Sequence, residues 1–191
     1  PQKAEVLVVV KAASINVDDV PLMQDTAGGG WFFHSHKPNA EKPLIGGMDY
    51  AGVVLECGPD CKRVKVGDRV CGIIKPLEHQ PGTWAEKTLQ PESDVCLIDD
   101  ENMSFVDAAG VAMGAFVNAD MVKHASKSPA FAMEGCRCLV VGASGALGTV
   151  MLQMLRKRKC HVTAVCSGAN EEVVRAMGAD EVVDYTKQPF G

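Results

Sequence analysis

No unbroken apolar run in this chain of 191 residues approaches the roughly 20 residues that a membrane span needs. Nor does the chain after Pro1 show the basic and apolar regions of a secretory signal; it opens almost directly into a strand-like run. The expectation is an intracellular, cytoplasmic protein with no membrane partner, or a mitochondrial one if a targeting segment lies upstream. Positive charge is also short: 19 Lys and Arg stand against 24 Asp and Glu, a formal net charge of −5. That balance argues against a protein whose main work is to neutralise nucleic-acid phosphates. One run, Arg156-Lys157-Arg158-Lys159, goes the other way, and it reads as the last turn of a helix, where cations favour the negative end of the dipole.

What is present is an ordinary globular composition, 47% hydrophobic and 23% charged, in a chain long enough for about one and a third domains of roughly 150 residues. Eight cysteines sit mostly inside apolar runs such as Val70-Cys71-Gly72-Ile73 and Val95-Cys96-Leu97-Ile98, a placement that predicts reduced core thiols in a reducing compartment.

The first half reads as short strands: Glu5 to Ala13, Tyr50 to Cys57, Arg69 to Ile74, Trp84 to Leu89 and Val95 to Ile98, with turns at Gly58-Pro59-Asp60 and Gly67-Asp68. Residues 24 to 42 interrupt this β region with Gly28-Gly29-Gly30 and Trp31-Phe32-Phe33, too long and loose for an ordinary connection. Two readings of Gly28 to His36 stand side by side: aromatic faces that close over a planar ligand, or aromatics that seal a core or an oligomer contact.

From Ser104 the period changes. Ser104 is a helix cap with Asp107 three residues on, and apolar residues continue helically to Val122. After a connector at Lys123 to Ser128 come strand Arg137 to Gly142, helix Gly145 to Lys157, strand His161 to Cys166, helix Asn170 to Met177 and strand Glu181 to Asp184. Strands alternating with helices predict a parallel, right-handed βαβαβ unit.

Gly142-Ala143-Ser144-Gly145-Ala146-Leu147-Gly148 joins an apolar strand to an amphipathic helix whose buried side carries Met151, Leu152, Met154 and Leu155. Its glycines allow a tight turn and close approach of a diphosphate to backbone N–H groups, and the helix N-terminus supplies donors and partial positive charge. Ser144, Gly145, Ala146 and Leu147 are the expected cofactor-binding positions there. An NAD site usually carries an acid at the end of the next strand, but Ala164-Val165-Cys166-Ser167-Gly168-Ala169-Asn170 has none. Ser167 and Asn170 are neutral groups suited to a 2′-phosphate, and Tyr185 could flank the adenosine, so NADPH is the expected cofactor. Asn170 also reads as a plain cap of the following helix, and no Lys or Arg occupies the place expected for a phosphate contact.

Several motifs then resemble the medium-chain dehydrogenase/reductase superfamily, in its zinc-independent quinone oxidoreductase (zeta-crystallin-like) branch. They are Ala13-Ser14-Ile15-Asn16 with Asp19, Gly47-Met48-Asp49-Tyr50-Ala51-Gly52, Val66-Gly67-Asp68-Arg69-Val70, Gly82-Thr83-Trp84-Ala85-Glu86, the glycine turn, and Gly178-Ala179-Asp180 with Asp184-Tyr185. The resemblance implies an α/β fold: a GroES-like β domain over 1–106, its N-terminal strand missing, then the first half of a doubly wound parallel Rossmann domain for NADPH over 107–191. Substrate and nicotinamide would meet between the two. It implies hydride transfer to a quinone or an α,β-unsaturated carbonyl, with Asn16 as the active-site asparagine that binds the acceptor oxygen or the nicotinamide ribose. As a plainer reading, Asn16 closes a strand-end turn.

Zinc relatives carry Cys where this chain has Asn16 and His where it has Met48, and neither Asn nor Met replaces those ligands. Cys57 and Cys61 have no second pair to complete a structural zinc site; no metal is expected. Val117-Asn118 stands where relatives commonly have Thr-Ala, and valine cannot make the threonine's hydrogen bond. The chain stops after one βαβαβ half, which predicts a fragment of a longer protein, homodimeric when full length. Two further readings are a non-catalytic NADPH-binding adaptor or sensor, or an inactive truncated form. RNA binding through the basic run is the weakest of the alternatives.

Overall fold

Alternation of valines makes the first strand. In β1 (Glu5–Ala12) Val6 and Val8 point to one face and are fully buried. The computed structural model describes residues 1–17, 19–20, 45–74 and 82–189; the aromatic segment Gly28 to His36 lies outside them. The chain forms two compact units, 1–113 and 114–191.

In the first unit β1 lies beside β2 (Asp49–Cys57) and β4 (Lys87–Pro91), while β3 (Arg69–Ile73) and β5 (Val95–Leu97) extend the sheet in the order β4-β1-β2-β3-β5, all antiparallel. Irregularities between Leu7 and Val8 and between Val10 and Ala12 break the β1–β2 register, and such bulges add twist to a strand. Val6, Val8, Tyr50, Val54, Val64, Val70 and Val95 make the core. Tyr50 is fully buried, with a hydroxyl that finds no hydrogen-bond partner among the described residues.

The fourth strand begins later than the sequence predicts. Thr83 and Trp84 are bends whose N–H groups donate to Gly47 and Gly46 carbonyls at 3.0 and 2.9 Å, and the ladder with β1 starts at Lys87. The cysteine expectation also needs correction: only Cys160 and Cys166 are buried, while Cys96 is exposed. Alternate residues of an edge strand face solvent whatever their neighbours' hydropathy.

Helix α1 (Phe105–Ala125) starts as predicted, with Asp107 N–H donating to Ser104 Oγ at 3.0 Å and Ser104 Oγ donating back to Asp107 at 2.6 Å. Among the described residues it is long and apolar enough, by length and composition, to cross a membrane, although it holds no unbroken apolar run of that length. Alanines and glycines carry that composition, interrupted by Asp107, Asn118, Asp120 and Lys123. Ala108 and Ala109 pack with Ala51, Cys71 and Ile98 in the β unit.

The second unit adds a short helix that the sequence reading left as connector, α2 (Pro129–Ala132). There follow β6 (Arg137–Val141), α3 (Ala146–Lys157), β7 (His161–Cys166), α4 (Glu171–Met177) and β8 (Glu181–Asp184). The sheet is parallel, in the order β6-β7-β8. Leu152 and Leu155 of α3 are buried with Val162, Ala164 and Val174. The basic run ends α3 as predicted, and three of its four side chains have partners. Arg156 donates to Ala176 O at 3.3 Å, Arg158 stacks 4.8 Å over the Phe131 ring, and Lys159 meets Glu134 at 2.8 Å.

Candidate functional site

In the β unit the chain leaves β1 and turns at Asn16, held by a buried acid. Asp19 accepts from Asn16 N–H at 2.8 Å and from Gly47 N–H at 3.0 Å, joining the segment after β1 to the segment before β2. Asn16 is half-buried, and its amide Nδ2 donates to Asp49 Oδ2 at 3.1 Å. Ser14 Oγ donates to the same oxygen at 2.6 Å. A carboxylate as partner orients the Asn16 amide, because only the NH2 side can face it. Thr83 Oγ donates to Asp49 O at 2.8 Å and Trp84 Nε1 to Ser14 O at 3.0 Å, so the distant 83–84 bend braces both residues.

Asp49 is 2% exposed, and its second oxygen is buried with no hydrogen-bond partner among the described residues. Burial pushes its pKa above the usual carboxylate range, against the hydrogen bonds from Ser14 and Asn16 that favour the anion. Sequence reasoning quoted Asp49 only as part of a motif. Nothing in the local pattern marks it as the partner of Asn16, since the contact spans 33 residues. Met48 is buried beside it.

In the second unit the predicted positions gather around the glycine turn. Gly142 has φ +72, a conformation open to glycine at little cost. A side chain at Gly148 would collide with Gly142 O and lie 2.6 Å from Ala143 O. Gly145 takes the N-cap position of the 12-residue α3, with no side-chain cap. The first N–H groups of a helix have no intrahelical partner, so those of Ala146, Leu147 and Gly148 are the donors a diphosphate needs. The residues present therefore fit a dinucleotide.

Asn170 stands at the N-cap of α4 but does not cap it. Its Nδ2 instead donates to Ser144 Oγ at 3.2 Å and Ser167 Oγ at 3.1 Å, tying the glycine turn to the loop after β7. Tyr185, 55% exposed, follows β8, and its N–H donates to Cys166 O at 3.3 Å. Two more residues join them: Asp184, quoted in the sequence only as part of a motif, and Lys187, which the sequence reading missed. Asp184 packs against Gly168, and Lys187 Nζ lies 3.3 Å from Asp184 Oδ2 and 3.7 Å from where a Cβ on Gly168 would stand. Hydrogen bonds from the Thr186 hydroxyl and N–H lower the Asp184 pKa to about 2. Lys187 lies two positions past Tyr185, outside the stretch after β7 where a phosphate-binding cation is expected. Asn118, flagged as a departure, is buried and donates to Leu147 O at 2.8 Å; it braces the first turn of α3.

A surface groove of about 560 Å³ lined by Arg63, Arg69, Leu97 and Asp99 shares no residue with either group.

The Alcohol dehydrogenase GroES-like domain family matches residues 2–130. The chain is 33% identical over 187 residues to the mouse (Mus musculus) protein named NAD(P)H oxidoreductase RTN4IP1, mitochondrial, covering 95% of this chain and 46% of that protein. It is also 33% identical over 202 residues to trans-enoyl reductase RAP2 of Pyricularia oryzae, covering 100% of this chain and 52% of that one. The chain thus spans about half the length of the curated relatives it matches. The solved quinone oxidoreductase of Coxiella burnetii superposes with a TM-score of 0.75 at 25% identity, over 99% of this chain and 56% of that one. A curled antiparallel sheet of GroES-like type followed by a parallel, partial Rossmann sheet, together with these matches, makes the chain a member of the alcohol dehydrogenase GroES-like family within the medium-chain dehydrogenase/reductase superfamily.

Proposed function

We propose that the protein is an NADPH-dependent reductase that delivers hydride to a quinone or an α,β-unsaturated carbonyl without zinc. The observation that carries this reading is the Ser144–Asn170–Ser167 network with Lys187 beside it. It presents neutral donors and a cation, with no acid at the end of β7; Asp184, which packs against Gly168 from the end of β8, is paired with Lys187. When bound, the dihydronicotinamide supplies the hydride; the protein's residues bind and orient. Ala146, Leu147 and Gly148 N–H groups hold the diphosphate. Lys187 is exposed and its contact with Asp184 is a weak, solvent-screened ion pair, so the ammonium is readily redirected to a 2′-phosphate.

Asn16, oriented by Asp49, donates a hydrogen bond to the acceptor oxygen or positions the nicotinamide ribose; Asp49 is the positioning residue. The donor set around Asn16 supports zinc-free chemistry, since its described members are an amide, a hydroxyl and two aspartates, without thiolate or imidazole. The names of the enoyl reductase and quinone oxidoreductase relatives support the acceptor class, and the mitochondrial designation of the mouse relative supports a mitochondrial location over a cytoplasmic one.

Two measurements test the reading. Binding of 2′,5′-ADP should be tighter than binding of 5′-AMP, and Lys187→Ala should weaken the former about 10-fold, the worth of one charge-assisted hydrogen bond, while leaving the latter unchanged. NADPH oxidation should proceed with a quinone or an enone panel and survive dialysis against a zinc chelator. Equal affinity for the two adenylates overturns the cofactor assignment, and NADPH binding without turnover on either panel favours the adaptor reading.

A further inference from the structure

Seven of the eight cysteines stand near another cysteine. Cys71 and Cys96 face each other across β3 and β5, and Cys57 lies close to Cys61; each of these groups has two sulfurs. Cys136, Cys138 and Cys160 differ. Their three Sγ atoms lie within 4.8 Å of one another, and no other group of three His, Cys, Asp or Glu among the described residues comes together in this way.

The backbone sets this arrangement. Cys136 precedes β6 and Cys138 is two residues on, so both side chains share a face. Parallel pairing of Arg137 with His161, and the 2.9 Å hydrogen bond from His161 N–H to Cys136 O, bring Cys160 alongside. The Cys136–Cys160 sulfurs are 3.1 Å apart and the Cys136–Cys138 sulfurs 3.8 Å. Metal–sulfur bonds of about 2.3 Å place thiolates roughly 3.8–4.0 Å apart around one ion. The cluster needs only a small side-chain opening at one edge to match.

We propose that Cys136, Cys138 and Cys160 form a binding site for a single cuprous ion. All three donors are soft sulfur, which selects Cu(I) or zinc over harder ions. A structural zinc almost always takes four protein ligands, and the group that converges here holds three sulfur donors. Cys160 is buried while Cys136 and Cys138 are half-buried, which gives an entry path and a dry floor. On binding, three S–H protons pass to solvent and three S–Cu bonds form, with no change in oxidation state.

The site lies at the start of β6 and β7, whereas the glycine turn follows the far end of β6. A five-residue strand at about 3.3 Å per residue separates them, so the ion and the nucleotide do not compete.

The test is anaerobic titration of the reduced chain with Cu(I) against a chromogenic Cu(I) chelator. Wild type and the Cys57→Ser/Cys61→Ser and Cys71→Ser/Cys96→Ser doubles should retain one equivalent, with thiolate-to-copper ultraviolet absorption. Cys138→Ser and Cys160→Ser should lose it, with circular dichroism confirming that both variants are folded. Should either single variant be unfolded, Cys136→Ala takes its place. Retention by the folded single variants overturns the site, as does equal loss in either double. Full displacement of Cu(I) by an equivalent of Zn²⁺ overturns the choice of ion. Formation of a Cys136–Cys160 disulfide on mild oxidation, without copper retention in the reduced chain, overturns the metal assignment altogether.

Discussion

Asn16 meets Asp49 across 33 residues and Trp84 reaches Ser14 across 70, whereas Ser167 and Asn170 are three apart, as are Asp184 and Lys187. The β unit gathers its polar cluster from segments that only the folded sheet brings together. The second unit draws most of its cluster from one turn and two strand ends. Their carboxylates differ in the same way. Asp49 is enclosed, and burial raises its pKa; Asp184 is wrapped by the hydroxyl and N–H of the residue two positions on, which lower its pKa to about 2. A site made of long-range contacts sits inside the fold and carries desolvation, while a site made of local turns stays near water and is dominated by hydrogen bonds.

That contrast can be broken most severely at Gly148. Gly148→Val places atoms against backbone carbonyls of the same turn, which cannot move as a side-chain tip would. It should destabilise the second unit by about 3 kcal/mol. In a thermal melt followed by limited proteolysis, cleavage should concentrate beyond residue 114 while the β unit persists; uniform loss of both units would show that they do not fold independently.

Asn16→Ala should come next. Loss of the donor proposed for the reacting centre is worth about 100-fold in kcat, with 2′,5′-ADP affinity unchanged because the residues proposed to hold the adenylate lie in the other unit. A drop in 2′,5′-ADP affinity with kcat preserved would contradict the proposed role.

Tyr50→Phe probes the core under the β cluster. A buried hydroxyl without a partner costs about 1–3 kcal/mol, so its removal should stabilise the unit by about 1 kcal/mol in denaturant unfolding. Destabilisation would mean that the hydroxyl has a partner after all.

The smallest effect concerns pH. Asp184 is depressed in the fold from 3.8 to about 2, so its contribution to stability is complete above pH 3.8 and is lost as pH falls through 2. Asp49 is raised, so its contribution is complete below 3.8 and is lost as pH rises through its folded value. In Tm measured against pH, Asp184→Asn should flatten the acid limb of the curve. An unchanged limb would locate acid sensitivity in other groups.

The parallel half of the fold was legible because each βαβ element announces itself locally: an apolar strand, a glycine turn, a helix with Leu152 and Leu155 one turn apart. The β half was legible as strands, with errors where a local pattern competes with a distant contact. Trp84 looks like the start of a strand, yet it is a bend because its backbone pairs with Gly46 and its indole reaches Ser14. The short α2 was missed because four residues after a serine carry too little periodicity to distinguish helix from turn.

By itself the sequence determined the glycine turn, the absence of an acid after β7 and the presence of an amide at Asn16 and a thioether at Met48. These follow from residue types at short spacing, where chain geometry leaves few choices. Only the tertiary structure decided that Asp49 holds Asn16, that Asn170 reaches Ser144 rather than capping α4, that Lys187 lies over Gly168, and that three thiols converge at the base of β6 and β7. Each of those contacts depends on strand register or turn placement between segments distant in the chain, and register is set by the packing of the whole sheet rather than by the residues that benefit from it.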